Sequence, residues 1–163
     1  MVNQIKINKK ELLCIVLIFW TGIFVEFLGV NYGLLFGEYS YGSNLGPKVF
    51  GVPFLIGMNW VILTTISGSI SNFIFKEKKI LSIILGSILM LVIDFFIEPV
   101  APTLDFWEFK NSIVPISNYT GWFMTGIFTQ SLYHFLIKEK EFKFSINLYL
   151  AIFVFFLGLN LRL

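Results

Sequence analysis

An all-α, polytopic transmembrane helical bundle of about five spans is the fold this sequence predicts. Three observations point to it. The chain is 56% hydrophobic and only 13% charged over 163 residues, where a soluble domain carries about a quarter of charged residues. Apolar runs of about 18 or more residues recur, which is the length a bilayer core demands. The lysines gather on alternate connections between those runs. The single cysteine, Cys14, excludes an internal disulfide and a thiolate metal cluster. A formal net charge of +2, with no basic patch interleaved with aromatics, gives no sign of a nucleic-acid partner.

The spans are expected at about 12–36, 49–75, 80–99, 119–137 and 145–161, in a single integral membrane domain, residues 1–163. The first follows Lys6, Lys9 and Lys10, as a signal peptide would. Its apolar run continues past Gly29 without a small-x-small cleavage site, so a retained span is expected. At about 37 Å it has to tilt or project into the headgroups. The last, SINLYLAIFVFFLGLNL, is only just long enough. Nine basic residues (Lys6, Lys9, Lys10, Lys76, Lys78, Lys79, Lys138, Lys140, Lys143) fall on one side, and Lys48, Lys110 and Arg162 on the other. The positive-inside rule then predicts a protein of the cell (cytoplasmic) membrane with its N-terminus cytoplasmic and its C-terminus outside. The inner connections are short and charged. The outer ones are irregular: GEYSYGSNLGPK at 37–48, and 99–118 with Pro99, Pro102 and Pro115. No repeat, low-complexity tract or linker divides the chain.

Helical spacing predicts which faces turn inward. Gly29, Gly33 and Gly37 recur every four residues, a pattern that lets helices approach closely in lipid. The Gly29/Gly33 face is thus a candidate surface for self-association, and Glu26 shares it. Ser87, Asp94 and Glu98 share one face of the third span, and Gly57, Thr64 and Ser71 one face of the second. Counted at 1.5 Å per residue, Glu26, Asn59, Trp60 and Asp94 fall in one layer roughly 8–15 Å below the outer surface, with Glu98 and Trp122 a little above it. A pocket lined by these six residues is expected.

An ionisable residue within a span is a functional-site hypothesis by default. Asp94 and Glu98, four apart, read either as a polar patch that caps the helix end or as an acid/base pair. Two neighbouring carboxyl groups in apolar surroundings can divide those roles. Trp60, Trp107, Trp122, Tyr32, Tyr39 and Tyr41 lie nearby in this count. They read as an interfacial belt or as aromatic faces that stabilise a cation by about 0.5–2 kcal/mol each. Glu26 reads as a structural hydrogen-bonding group or a third carboxyl of the site. His134, the only histidine, falls near the cytoplasmic face and reads as interfacial. The spacing of Asp94 and Glu98 is similar to acidic motifs that hold magnesium diphosphate in membrane prenyltransferases, but no second acidic motif accompanies it, and no metal site is expected.

The stretch from Glu26 to Pro53, EFLGVNYGLLFGEYSYGSNLGPKVFGVP, with DFFIEPVA (Asp94 to Ala101), Trp107 and PISNYTGW (Pro115 to Trp122), resembles the CruF-type carotenoid hydratases over about residues 22–130. The resemblance implies a membrane enzyme of carotenoid biosynthesis. Such an enzyme adds water across the terminal 1,2 double bond of an acyclic carotenoid end group and leaves a tertiary alcohol. Asp94, Glu98 and Glu26 are the catalytic candidates. Trp60, Asn59, Trp122, Tyr41, Trp107 and Asn118 are the candidates for substrate binding. The partner would be an acyclic carotenoid lying in the lipid membrane. No cofactor is expected, because hydration is redox-neutral. The alternatives are a lycopene-type cyclase, which begins with the same protonation and ends in ring closure, and a non-enzymatic small transporter or assembly subunit that relays protons through Glu26 and Asp94.

Overall fold

The computed structural model describes residues 8–76, 78–138 and 140–162; Lys6, one of the basic residues that set the expected orientation, lies outside them. Among the described residues five α-helices pack as a bundle: α1 (Lys9–Tyr32), α2 (Phe54–Phe75), α3 (Lys79–Ile97), α4 (Ile116–Leu136) and α5 (Phe142–Asn160). Four of them, α1, α2, α3 and α5, are long and apolar enough to cross a membrane. α4 is the polar one, carrying Asn118, Thr125, Thr129, Gln130 and His134 among its buried residues. It is packed by α1, α2 and α3, so those polar groups face neighbouring helices. Chain composition and these helices make the protein an integral membrane protein.

The helix ends have local causes. α1 opens on a capping box: Asn8 Oδ1 accepts from Glu11 N at 3.0 Å, and Glu11 Oε2 accepts from Asn8 N at 3.0 Å. It closes at Gly33, whose φ of 66° takes the left-handed conformation that glycine favours. The helix expected to reach residue 36 therefore stops at Tyr32, and the Gly29, Gly33, Gly37 series is not one helical stripe. Gly29 faces the chain's own Tyr39 and Phe36; a Cβ there would meet Tyr39 Oη at 2.7 Å. That face is filled from within.

The second span was expected from residue 49 and begins at Phe54. Before it, β2 (Lys48–Val49) and β3 (Val52–Pro53) form a hairpin through Phe50 and Gly51, both at positive φ (50° and 84°), the demand of a two-residue type I′ turn. Pro53 then sits at the helix N-cap, where a missing N–H costs nothing. α4 likewise starts three residues earlier than expected, after Pro115.

The two connections expected on the outer side do not stay irregular. β1 (Tyr39–Tyr41) pairs antiparallel with β4 (Trp107–Phe109) in the register Tyr39↔Phe109, Ser40↔Glu108, Tyr41↔Trp107. The pair forms a small sheet across one end of the bundle, hereafter the cap. Side chains alternate across a strand, so Tyr39, Tyr41, Trp107 and Phe109 turn inward while Ser40 and Glu108 are exposed. Asp105 fastens the edge of the cap: its Oδ2 accepts from Ser43 N at 2.8 Å and from Ser43 Oγ at 2.5 Å. These bonds hold the Asp105 carboxyl below its ordinary range.

Below the cap the interior divides into two polar levels. The upper holds Glu26, Asp94, Glu98 and Asn118, all buried. The lower holds Thr64, Ser67, Ser69, Ser71, Thr129, Gln130 and His134. His134 is buried, with Nε2 3.4 Å from Ser71 Oγ, rather than interfacial as expected. α5 is peripheral, burying Ser145 and Tyr149. Tyr149 Oη donates to the Leu89 carbonyl at 2.9 Å, and Asn160 Nδ2 to the Phe96 carbonyl at 2.7 Å.

Candidate functional site

Glu26 sits two turns before the end of α1 and is 4% exposed. Its Oε2 accepts from the hydroxyls of Tyr39 and Tyr41, the second at 2.7 Å, and its Oε1 accepts from Trp60 Nε1 at 3.1 Å. All three are donors, the complement of an acceptor-only carboxylate. Burial, and then the Glu26 charge, push the Tyr39 and Tyr41 hydroxyls well above the ordinary phenol range, so both stay donors.

Asp94 and Glu98 face Glu26 from the end of α3. Glu98 keeps helical backbone angles past the last turn, and its N–H donates to the Asp94 carbonyl at 3.0 Å. Both side chains therefore stay on one face. Asn118, in the first turn of α4, spends its amide on the pair: Nδ2 donates to Asp94 Oδ2 at 3.1 Å and to Glu98 Oε1 at 2.8 Å. Trp107 Nε1 donates to Glu98 Oε2 at 3.0 Å. Asp94 Oδ1 is buried without a hydrogen-bond partner.

Between the acids lies a small cavity of about 20 Å³. That is room for about one water molecule, and the polar walls a buried water needs are present. Glu26, Glu98, Asn118, Tyr39, Tyr41 and Asn59 supply its polar lining, with Trp107, Trp122 and Phe109 among its aromatic walls.

Most of the residues expected at the site meet here: Glu26, Glu98, Asn59, Asn118, Tyr41, Trp107 and Trp122. Two stand behind it. Trp60 is fully buried and stacks on Trp122, ring centroids 4.3 Å apart at 16°, so it backs the wall and orients Glu26 through its indole N–H. Asp94 is fully buried beneath Glu98 and reaches the cavity through Asn118. Tyr32, counted among the nearby aromatics, is 65% exposed. Phe109 is the lining residue that sequence reasoning missed, and Tyr39, counted among the nearby aromatics, was not singled out as a binding candidate. The signal was the two-residue alternation of Tyr-Ser-Tyr and Trp-Glu-Phe, the period of a strand. Among the described residues no group of three metal-ligating side chains is assembled.

The family model for carotenoid biosynthesis proteins matches residues 2–163. The chain belongs to this family. Bisanhydrobacterioruberin hydratase of Haloarcula japonica is 25% identical over 124 residues, an alignment covering 68% of this carotenoid biosynthesis protein and 40% of the relative. The match thus spans less than half of the relative's length. No solved structure matches the chain.

Proposed function

We propose that this carotenoid biosynthesis protein hydrates the terminal double bond of an acyclic carotenoid end group. The observation that carries the reading is the water-sized cavity with two carboxyl groups, Glu26 and Glu98, in its lining. Glu98 delivers a proton to the inner CH carbon of the terminal double bond, and positive charge forms at the outer, dimethyl-bearing carbon, which is tertiary. The faces of Trp122, Tyr41 and Trp107 and the Glu26 carboxylate stabilise that cation. Water in the cavity adds to it, and Glu26 takes the proton the water gives up. Return of that proton to Glu98 closes a cycle in which one water is consumed and no electrons are exchanged. Asp94, joined to Glu98 through Asn118, positions the acid and sets its protonation. The cap lies on the outer side in this reading, as the lysine distribution predicts.

The test is pigment analysis in cells that accumulate lycopene, with wild type beside Glu98→Gln and Asp94→Asn at matched protein levels. Wild type should yield a pigment heavier by one water, and both variants should lose it. A cyclised isomer of unchanged mass would replace this reading with the cyclase. Unchanged pigments with wild type present in the membrane would overturn the enzyme reading.

A further inference from the structure

We propose, resting on the hydratase reading, that an apolar groove between α2, α3 and α5 seats the polyene chain behind the reacting end group. The threshold between groove and acid chamber is Asn59 and Trp107. The groove has a volume of about 260 Å³ and is walled by Leu55 and Ile62 of α2, Ile93 and Ile97 of α3, and Ile152 and Phe156 of α5. Leu55 and Ile62 are exposed, so on a spanning helix the groove opens sideways toward acyl chains rather than toward water.

Three observations favour this groove. It shares Ile56, Asn59 and Trp107 with the acid cavity. A second apolar groove of about 600 Å³, between α1 and α4 and lined by Trp20, Phe24, Met124 and Phe128, shares no residue with it. Second, the shared residues grade in polarity. Trp107 points its N–H at Glu98 and belongs to the groove's apolar wall as well. Half-buried Asn59 is the one amide in that wall among the described residues. Third, the chamber also adjoins a polar opening on the cap. A polar pocket of about 680 Å³ on the cap, lined by Asn31, Glu38, Glu108 and Lys110 among others, shares Tyr39 and Phe109 with the cavity. The acids therefore lie between a hydrocarbon approach and an aqueous one, as adding water to an alkene requires. The cavity has room for a water but not for a branched alkene end, so entry requires Asn59 and Trp107 to swing aside.

The experiment is photolabelling of the full chain in lipid nanodiscs with a diazirine-bearing acyclic polyene, with a diazirine phospholipid as the control probe. Polyene label should concentrate at Leu55, Ile62, Ile152 and Phe156 and fall at least tenfold when unlabelled lycopene competes. Ile62→Trp and Ile152→Trp should cut both that label and the hydrated pigment at least tenfold, while Phe24→Trp in the other groove leaves both unchanged. Label centred on α1 and α4, or spread evenly over the lipid-facing helices, overturns the groove. So does equal labelling by the phospholipid with no competition from lycopene. Hydration intact in Ile62→Trp with label elsewhere removes the groove and leaves the hydratase. Competed label in the groove without any hydrated product removes the hydratase and leaves the groove.

Discussion

Just under the cap, Glu26, Asp94 and Glu98 are met by side chains from three other places in the chain: two tyrosines and a tryptophan of the cap, Trp60 of α2 and Asn118 of α4. Farther down, Ser71, Thr129, Gln130 and His134 are equally buried. Their bonds, however, run largely to helix carbonyls or to one another: Ser71 Oγ to Gly68 O at 3.1 Å, Thr129 Oγ1 to Gly126 O at 3.2 Å, Gln130 Nε2 to Thr64 O at 3.0 Å. Gly68 and Gly86 there sit against Tyr133 and Gln130 so closely that a Cβ would clash at 2.4 Å and 2.6 Å. The lower level is helix packing by small and polar residues. The upper level has acids, a void and two approaches. Burial of polar groups alone does not mark a site. Acids around space do.

The widest gap between the two levels should appear in turnover. Glu98→Gln removes the proposed proton donor, and a general acid is worth about 10²–10⁴-fold. His134→Gln in the lower level should leave the yield of hydrated pigment unchanged. Equal losses from both, read by mass spectrometry of extracted pigments, would break the division. Next in size is Trp60→Ala, which empties a fully buried stack and should cost about 3–5 kcal/mol, measured as a lowered Tm in detergent. Trp60→Phe keeps most of the packing and isolates the indole donation to Glu26. Asn118→Leu strips the shared donor from two buried carboxyl groups and should cost about 1–3 kcal/mol. It should also reduce hydration, whereas Gln130→Leu should cost about 1 kcal/mol or less with hydration intact. The smallest effect belongs to the cap edge. The Asp105 carboxyl is depressed by Ser43, so its stabilisation is present above the ordinary value near 3.9 and is lost as pH falls through the folded value. Acid titration followed by Trp fluorescence should show a loosening of the cap that Asp105→Asn no longer shows.

Much of the bundle could be read from the chain because its information is local. Apolar run length places the helices, and a spacing of four puts Asp94 and Glu98 together. Counting rises per residue brings Glu26, Asn59 and Asp94 to one depth, with Glu98 and Trp122 a little above. What could not be read depends on contacts between distant residues. The β1–β4 pairing joins residues nearly seventy positions apart, and no periodicity within Tyr39–Tyr41 names its partner. The indole of Trp60 turns behind Trp122 because Gly22 leaves it room, a Cβ there meeting Trp60 Cδ1 at 2.5 Å. That gap belongs to α1 and is invisible from α2. The early stop of α1 was the nearest miss: Gly33 read as a packing glycine serves as a helix terminator.

The cap sheet links the acids mechanically. Tyr39 and Tyr41 hold Glu26 from one strand, and Trp107 holds Glu98 from the strand hydrogen-bonded to it. Backbone pairing ties the two strands into one plate. Lifting it takes the phenols from Glu26 and the indole from Glu98 in the same stroke, so the two acids are latched and unlatched together.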